Sequence, residues 1–364
     1  MKKMNPYSPI APSSIGSAAP TSRLSTTLLQ RESPREASRR ARPASNKAAR
    51  PVARIVMEDE ARRLIYPEPV LADLEDLLTF AGPPLNAADV EADPSLLAEV
   101  EVLVSGWGPP RLDRRVLSHA QSLKVVLYGG GATGHFVTEH VASRGIRVYT
   151  ANGVNAVPVV EYTVAQVIMC LKRVWQHTLA MRDSRQWRRT APGATGFGSR
   201  VGIVGVGDIG RRVIAALRGM DIDLVAYDIC PDPEFARELD FEYLHLEELF
   251  AVSDVVSLHV PLNDLTHHLI DASLMRSMKQ GASLINTARG ALIDQPALLE
   301  IFARRPDLFA VLDVTDPEPP GPDSPLWQAD NIVLTPHLAG SLGPECRRMG
   351  EKLVDDLRQY LADA

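Results

Sequence analysis

Short apolar runs alternate with longer segments of helical periodicity from Ala53 to the C-terminus, and this alternation predicts an α/β fold. The first predicted strands cover residues 100–104, 123–128 and 145–149. Pro158 then opens a segment that we interpret as a helix to about Asp183, because proline is tolerated in the first turn of a helix. The first module is therefore expected to end with a long helix.

A second series of apolar runs begins after Arg200. Its predicted strands cover residues 201–204, 224–227, 255–259, 283–286, 308–312 and 332–335, and its predicted helices lie near residues 246–251, 271–278 and 296–304. Strands that are apolar along their whole length are typical of a parallel sheet covered on both faces. The pattern therefore predicts two Rossmann-like, doubly wound parallel-sheet domains.

Residues 201–210 read Val-Gly-Ile-Val-Gly-Val-Gly-Asp-Ile-Gly. This apolar run turns through three of its glycines, at 205, 207 and 210, into a segment that favours a helix. Gly205 permits the tight turn, Gly207 lets the backbone approach a pyrophosphate, and Gly210 lets the helix pack closely on the strand. The phosphates would lie at the helix N-terminus beside Asp208 and Ile209, where unpaired N–H groups favour negative charge. The run predicts a dinucleotide-binding βαβ unit.

The next apolar run ends at Asp228, roughly 20 residues after the glycines, where an acidic side chain can bind the ribose hydroxyls of a dinucleotide. Its carboxylate would repel a 2′-phosphate, so this residue favours NAD over NADP. Glycines spaced in this way also occur in ordinary turns. The strand before them and the acid after them therefore carry the prediction.

The domain prediction follows from the two modules. Residues 339–364 form an amphipathic segment after the final strand, and we expect this segment to return to the first module. We predict a substrate (catalytic) domain over residues 53–156 plus 338–364 and an NAD-binding Rossmann domain over residues 157–337. The active site is expected in the cleft between the two domains.

The first fifty residues differ from the rest in being rich in Ser, Pro, Ala and Arg, with only Glu32 and Glu36 as acids. Such a segment cannot bury enough apolar surface to offset its ordering entropy. We therefore predict a disordered extension over residues 1–52. An organelle transit peptide and a start codon placed too far upstream are alternatives that this composition leaves open.

Charge and cysteine content restrict the function classes. The net charge of −6 gives no reason to expect nucleic acid or an anionic membrane as a partner. Cys170, Cys230 and Cys346 are far apart and lack CxxC spacing, so neither a disulfide framework nor a metal site is expected. No apolar run approaches the roughly 18 residues needed to span a bilayer. We expect a soluble, cytoplasmic protein.

Three side chains that could take part in catalysis follow strands of the second module. Arg289 lies in Asn-Thr-Ala-Arg-Gly, Glu318 in Asp-Val-Thr-Asp-Pro-Glu-Pro, and His337 in Thr-Pro-His. Parallel strands end at one edge of a sheet, so we expect these side chains to converge. A guanidinium can bind a carboxylate and polarise a carbonyl, and an imidazole paired with a carboxylate can exchange a proton near neutral pH. The set predicts reversible carbonyl reduction.

Five motifs in order resemble the D-isomer-specific 2-hydroxyacid dehydrogenase family, and the resemblance extends from about Ile55 to the C-terminus. The motifs are the glycine run at 204–210, His-Val-Pro-Leu at 259–262, Asn-Thr-Ala-Arg-Gly at 286–290, Asp-Val-x-x-x-Glu-Pro at 313–319 and Pro-His at 336–337. The resemblance implies an NAD-dependent enzyme that interconverts a small 2-keto acid and a D-2-hydroxy acid by hydride transfer.

The resemblance also implies roles for single residues. Arg289 would bind substrate and contact the cofactor, Glu318 would pair with the histidine, and His337 would be the general acid/base beside both substrate and cofactor. The backbone N–H groups of Gly130 and Gly131 would hold the substrate carboxylate. Further implied cofactor contacts are His259, Val260, Pro261, Thr266, Thr287, Ala288 and, at the nicotinamide carboxamide, Asp313.

By the same resemblance, Asn155 and Glu161 lie at the hinge into the long helix, and that helix forms a homodimer interface. The chain departs from the family pattern at two positions. Ala132 stands where the substrate loop has its second glycine, and Thr315 stands where an aromatic residue is common. Trp107, on a strand-end loop, either walls an apolar substrate pocket or packs internally.

Two other functions remain open from the sequence. Some relatives of this fold are NAD-sensing transcriptional corepressors that keep the catalytic residues. A phosphite-type dehydrogenase shares the Arg-Glu-His set and differs in substrate. Formate is disfavoured, because the formate dehydrogenases of the family have glutamine where this chain has Glu318.

Overall fold

The computed structural model describes residues 50–187 and 196–363. The predicted extension over residues 1–52 lies outside the described residues except at its end, where the structure corrects it. Arg50 donates a hydrogen bond to the carbonyl oxygen of Glu75, and the first strand already begins at Val52. The ordered fold therefore starts slightly earlier than the composition predicts.

The first sheet is parallel and has five strands in the order β2-β1-β3-β4-β5. Its strands are β1 (Val52–Ile55), β2 (Thr79–Phe80), β3 (Val102–Ser105), β4 (Val125–Tyr128) and β5 (Arg147–Thr150). The helices that connect them are α1 (Asp59–Ile65), α2 (Glu68–Leu77), α3 (Ala87–Ala92), α4 (Arg114–His119) and α5 (Glu139–Ser143). Asp113 caps α4 by accepting a hydrogen bond from the Val116 N–H, which satisfies one free donor at the helix start.

The second sheet, also parallel, has the strand order β12-β11-β10-β9-β6-β7-β8. Its strands are β6 (Ser199–Val204), β7 (Ile222–Tyr227), β8 (Glu242–Tyr243), β9 (Val255–Leu258), β10 (Ser283–Asn286), β11 (Phe309–Leu312) and β12 (Ile332–Leu334). Its helices are α8 (Asp208–Leu217), α9 (Pro233–Leu239), α10 (Leu246–Val252), α11 (Ala272–Ser277) and α12 (Gln295–Arg304). Two parallel sheets of this kind confirm the predicted α/β class. The domain boundaries stay predictions.

Two helices connect the sheets and correct the predicted long helix. The first, α6, spans Asn152–Leu171, and the second, α7, spans Val174–Ser184. Pro158 therefore lies inside α6 rather than in its first turn, and the helical path is interrupted at Arg173, whose backbone is left-handed with a φ of 51°. The single helix predicted as far as Asp183 is wrong in both respects.

By length and composition, α6 could cross a membrane, so the expectation that no apolar segment has this length is wrong for α6. Its packing gives a different reason for its apolar character. Val167, Cys170 and Leu171 are buried against the second sheet, as in the core helix of a globular domain. Glu161, its one charged residue, is exposed.

The last helix, α13 (Cys346–Ala362), returns to the first sheet as its amphipathic pattern predicts. Met349, Leu353 and Leu357 lie on its buried face and join the apolar cluster formed by β1, β3, β4, α1 and α2. The strand that precedes this helix, β12, belongs to the second sheet. The chain therefore crosses between the sheets twice, through α6 and through the segment after β12.

Candidate active site

The loop between β6 and α8 shows why each glycine is needed. Gly205 has a φ of 94°, and a β-carbon there would lie 2.8 Å from the backbone nitrogen of Val260. At Gly210 a β-carbon would lie 2.0 Å from the carbonyl oxygen of Gly205, so any side chain would push α8 off the strand. Gly207 faces open space, and Ile209 is partly buried on the inner side of α8. The loop leaves room for a phosphate group at the start of α8.

Asp228, at the end of β7, is held in place by backbone donors. Its carboxylate accepts hydrogen bonds from the N–H of Val206 at 2.7 Å and from the N–H of Cys230 at 2.8 Å. Asp208, in the first turn of α8, instead accepts a hydrogen bond from Arg212 at 2.8 Å. The geometry therefore places Asp228 beside the glycine loop, while the side chain of Asp208 pairs within its own helix.

The segment after β9 forms a closed turn. The Oγ1 of Thr266 donates to the carbonyl oxygen of Pro261 at 2.6 Å and accepts from the N–H of Asn263 at 2.8 Å. The ring of His259 lies 3.0 Å from the Ser257 hydroxyl, and burial lowers the pKa of His259 to about 4, so this imidazole is neutral at pH 7. Thr266 thus stabilises the turn that carries the predicted cofactor contacts.

The turn after β10 is organised by a residue that the sequence reasoning did not assign. Asn286 is buried, its side chain accepts a hydrogen bond from the N–H of Ala288 at 3.0 Å, and it donates to the carbonyl oxygen of Arg289 at 2.8 Å. Thr287 is also buried, with its hydroxyl 3.4 Å from that of Thr163 on α6. The turn leaves the Arg289 side chain exposed.

His337 and Glu318 form the predicted pair, with the Nδ1 of His337 2.5 Å from the Oε1 of Glu318. His337 has a left-handed backbone with a φ of 51°, a conformation that costs a non-glycine residue about 1 kcal/mol. Buried Asp313 accepts hydrogen bonds from the N–H groups of Leu338 and Ala339, each at 2.9 Å, and its carbonyl oxygen accepts from the N–H of His337. These hydrogen bonds fix the loop after β12 and keep His337 in its strained backbone conformation. Strained conformations of this kind are common at functional sites.

Two links that sequence reasoning missed tie this loop to α6. Asp313 accepts a hydrogen bond from the hydroxyl of Thr335 at 2.6 Å, and that hydroxyl lies 2.9 Å from the hydroxyl of Tyr162. The side chain of Asn155 accepts from the N–H of Ser341 at 2.9 Å. These two residues of α6 are polar in an otherwise apolar helix. In the sequence, that polarity was the signal that they make specific contacts.

The strand-end turns of the second sheet contact one another and reach the first sheet. A β-carbon at Gly290 would lie 2.0 Å from the carbonyl carbon of Thr315, so the turn after β10 touches the turn after β11. The charge of Arg289 lies near the rings of Tyr128 and His135, at and after the end of β4. Burial and this guanidinium together lower the pKa of His135, while burial raises the pKa of Tyr128 to about 12. Arg289 is therefore close enough to act electrostatically on Tyr128 and His135, which flank the predicted substrate loop.

The loop after β4 differs in part from its predicted role. The N–H of Gly130 donates to the carbonyl oxygen of Tyr128 at 2.8 Å, so this N–H is already used within the loop. Gly131 packs near Asn152, whose Oδ1 would lie 3.1 Å from an added β-carbon, and Ala132 is exposed. The backbone from Gly131 onward is therefore better placed to bind an anion than that of Gly130.

The first residues of the loop after β3 include an aromatic ring and no charged side chain. Ser105 is buried, with its hydroxyl donating to the carbonyl oxygen of Val56 at 2.6 Å and its own carbonyl oxygen accepting from the Tyr66 hydroxyl at 2.8 Å. Trp107 is partly buried and packs on the apolar cluster of the first sheet. The residues from 105 to 109 read Ser-Gly-Trp-Gly-Pro and contain no Lys or Arg.

Comparison with known proteins gives one consistent result. Residues 164–339 match the family model for the NAD-binding domain of D-isomer-specific 2-hydroxyacid dehydrogenases. The chain is 32% identical over 286 residues to a glyoxylate reductase of Korarchaeum cryptofilum, a match that covers 78% of this chain and 85% of the relative. It is 30% identical over 268 residues to a hydroxypyruvate reductase of Thermotoga maritima, covering 73% and 86%. The crystal structure of the TT0316 protein from Thermus thermophilus superposes with a TM-score of 0.70 at 32% identity, covering 85% of this chain and 97% of that one.

Proposed function

The chain belongs to the D-isomer-specific 2-hydroxyacid dehydrogenase family, and we propose that it interconverts an unphosphorylated 2-keto acid and the corresponding D-2-hydroxy acid. It is an NAD-dependent oxidoreductase. The observation that carries the proposal is the hydrogen-bonded pair of His337 and Glu318, which lies on the same sheet edge as Arg289.

The residues around the glycine loop fit NAD. The open face at Gly207, the close contact at Gly210 and the fixed carboxylate of Asp228 would hold the pyrophosphate and the ribose. When bound, the nicotinamide supplies or accepts a hydride. The negative charge of Asp228 disfavours a 2′-phosphate, in agreement with the NAD-binding family model.

The chain's own residues handle charge and protons. The guanidinium of Arg289 would hold the substrate carboxylate and polarise the neighbouring carbonyl, because it stays charged and binds planar oxyanions. His337 would give a proton to the carbonyl oxygen in reduction and remove it in oxidation, which contributes typically ~10²–10⁴-fold to the rate. Glu318 would stabilise the charged imidazole and fix the tautomer of its ring.

The loops after β3 and β4 support a substrate without a phosphate group. A phosphoryl group is usually bound by several cations. Residues 105–109 and 129–133 contain no Lys or Arg, and the loop after β3 supplies one cation, the exposed Arg111. Trp107, in the first of these loops, packs on the apolar cluster of the first sheet and stays partly exposed. Small keto acids such as glyoxylate, hydroxypyruvate, pyruvate or phenylpyruvate fit these loops better than phosphorylated ones.

The proposal is tested by NADH oxidation with these four keto acids and one phosphorylated keto acid, with His337→Gln as the matched control. We expect turnover of at least one unphosphorylated acid, a D-configured product, and a large loss of rate in the control. Nucleotide-dependent dimerisation without turnover would overturn the proposal in favour of an NAD sensor. NAD reduction with phosphite and with no hydroxy acid would favour the phosphite-type enzyme.

We also propose a homodimer that uses the surface of α6 and the start of α7, where Ile168 and Val174 are 40% and 37% exposed. Light scattering of the purified chain should give twice the mass of one chain. Ile168→Glu should shift the mass toward that of a monomer, and an unchanged mass would contradict this interface. A cytoplasmic location, like the lack of nucleic-acid and membrane partners, stays a prediction from composition.

A further inference from the structure

Two neighbouring histidines and an aspartate form a cluster beside the site described above. One imidazole nitrogen of His267, one of His268 and one carboxylate oxygen of Asp316 all lie within 4.8 Å of one another. All three residues are exposed, so an ion could reach them from solvent. We propose that this His267/His268/Asp316 cluster binds a divalent transition-metal ion, with Zn²⁺ as the ion that suits it best.

An uncommon backbone conformation places the two imidazoles together. Side chains of adjacent residues normally point in different directions, but His268 is left-handed, with a φ of 52°. The two rings stack with their centroids 4.0 Å apart and their planes at 28°. Two nitrogen ligands are therefore presented side by side on one short turn.

Hydrogen bonds from three directions hold the cluster. The N–H of His267 donates to the carbonyl oxygen of Asn263 at 2.9 Å, and the N–H of His268 donates to the carbonyl oxygen of Ala291 at 2.8 Å. The N–H of Asp316 donates to the side-chain oxygen of Gln295 at 3.1 Å. Because the backbone is already fixed, an ion would have to order little more than the three side chains themselves.

The donor set decides the class of ion. Two imidazole nitrogens and one carboxylate oxygen suit Zn²⁺, Ni²⁺ or Cu²⁺, whereas Mg²⁺ and Ca²⁺ prefer oxygen ligands alone. Three protein ligands leave further positions for water. The expectation of no metal site rested on cysteine spacing, and this cluster contains no cysteine. Asp316 is distant in the chain from the two adjacent histidines, so their spacing in the sequence does not indicate that the three side chains meet.

The experiment uses the full chain after dialysis against a chelator, titrated with Zn²⁺ alone by calorimetry. We expect one ion per chain at this cluster. Asp316→Asn and His268→Asn each remove a ligand, and asparagine also tolerates the left-handed backbone at 268. Each should weaken binding by more than the roughly 10–100-fold that loss of a ligand's hydrogen-bond partner costs. The exposed control variants Asp323→Asn and His245→Asn should bind as tightly as the wild type.

Electron paramagnetic resonance with Cu²⁺ adds a readout of ligand identity. The spectrum should show coupling to two imidazole nitrogens in the wild type and to one in His268→Asn. Binding that survives both ligand variants but disappears in His337→Gln would place the ion on the Glu318 and His337 pair and would overturn the proposal. Absence of binding would overturn it as well. Neither result bears on keto-acid turnover, which is measured without added metal.

Discussion

Polar side chains at the strand ends of the seven-stranded sheet are held by backbone hydrogen bonds, whereas the loops after β3 and β4 of the five-stranded sheet begin with glycine-rich runs, Gly-Trp-Gly at 106–108 and Gly-Gly-Gly at 129–131. Asp228, Asn286 and Asp313 each bond at least two backbone groups. In the other sheet, Gly130 bonds within its own loop and Trp107 packs on the core. This difference is the basis on which we propose that the larger sheet carries the chemistry and the smaller one the choice of substrate.

This division has a physical reason. Proton transfer requires groups placed to within fractions of an ångström, so each of them needs several constraints. Discrimination between small acids needs only shape and the absence of charge, and a methylene more or less in an apolar pocket changes binding by about 1–3 kcal/mol.

The largest effect is expected for His337→Gln. Removal of the general acid/base should lower kcat/KM for keto-acid reduction by about 10²–10⁴-fold. Affinity for NADH, measured by fluorescence titration, should change little, since the glycine loop is untouched. His135→Gln, on the loop of the smaller sheet, is the matched control and should alter KM far more than kcat. Equal losses of kcat in both variants would contradict the division between the sheets.

Glycine to alanine substitutions in the two glycine loops should lower the free energy of unfolding by different amounts. Gly210→Ala places a β-carbon 2.0 Å from the carbonyl oxygen of Gly205, and this overlap should cost about 3 kcal/mol in the free energy of unfolding. Gly131→Ala meets only side-chain atoms, those of Asn152 at 3.1 Å and of Asn155 at 3.8 Å, and should cost far less. Urea unfolding of both variants measures the difference. A larger loss in Gly131→Ala would show that the substrate loop is the more constrained one.

Asp313→Asn tests the constraint on the loop that carries His337. An amide group can accept fewer hydrogen bonds than a carboxylate, and its NH₂ would face the N–H of Leu338 or Ala339, so we expect a loss of about 2 kcal/mol in stability. Asp113→Asn is the control in the smaller sheet, because asparagine caps a helix as well as aspartate does. Thermal unfolding compares them. A stable Asp313→Asn variant would mean that other contacts hold the loop.

The strands of both sheets predicted from sequence lie within two residues of their observed ends, because a buried parallel strand is apolar along its whole length. The start of α6 was misplaced, since a proline inside a helix has no feature in sequence that distinguishes it from a proline in the first turn. The short edge strands β2 and β8 contain two residues each, too few for a periodic pattern.

The candidate site was only partly predictable for a related reason. Arg289, Glu318 and His337 could be located because each follows a strand and strand ends share one edge. The hydrogen bonds that fix these side chains could not be predicted, because Thr335 and Tyr162 meet only after the chain has crossed between the sheets. A sequence pattern reveals the chemical groups at a sheet edge, whereas their supporting contacts depend on packing between distant elements.

The smallest effect, and the most specific one, is expected for Glu318→Gln. A carboxylate 2.5 Å from the imidazole favours its charged form, and glutamine can replace the hydrogen bond but not the charge. The imidazolium that forms during hydroxy-acid oxidation should therefore be stabilised less, and kcat/KM for oxidation should fall by less than the ~10²–10⁴-fold expected for removal of the imidazole. Affinity for NADH should be unchanged, because the glycine loop is untouched. Steady-state kinetics and fluorescence titration measure these quantities, and an unchanged kcat/KM would separate Glu318 from the proton transfer.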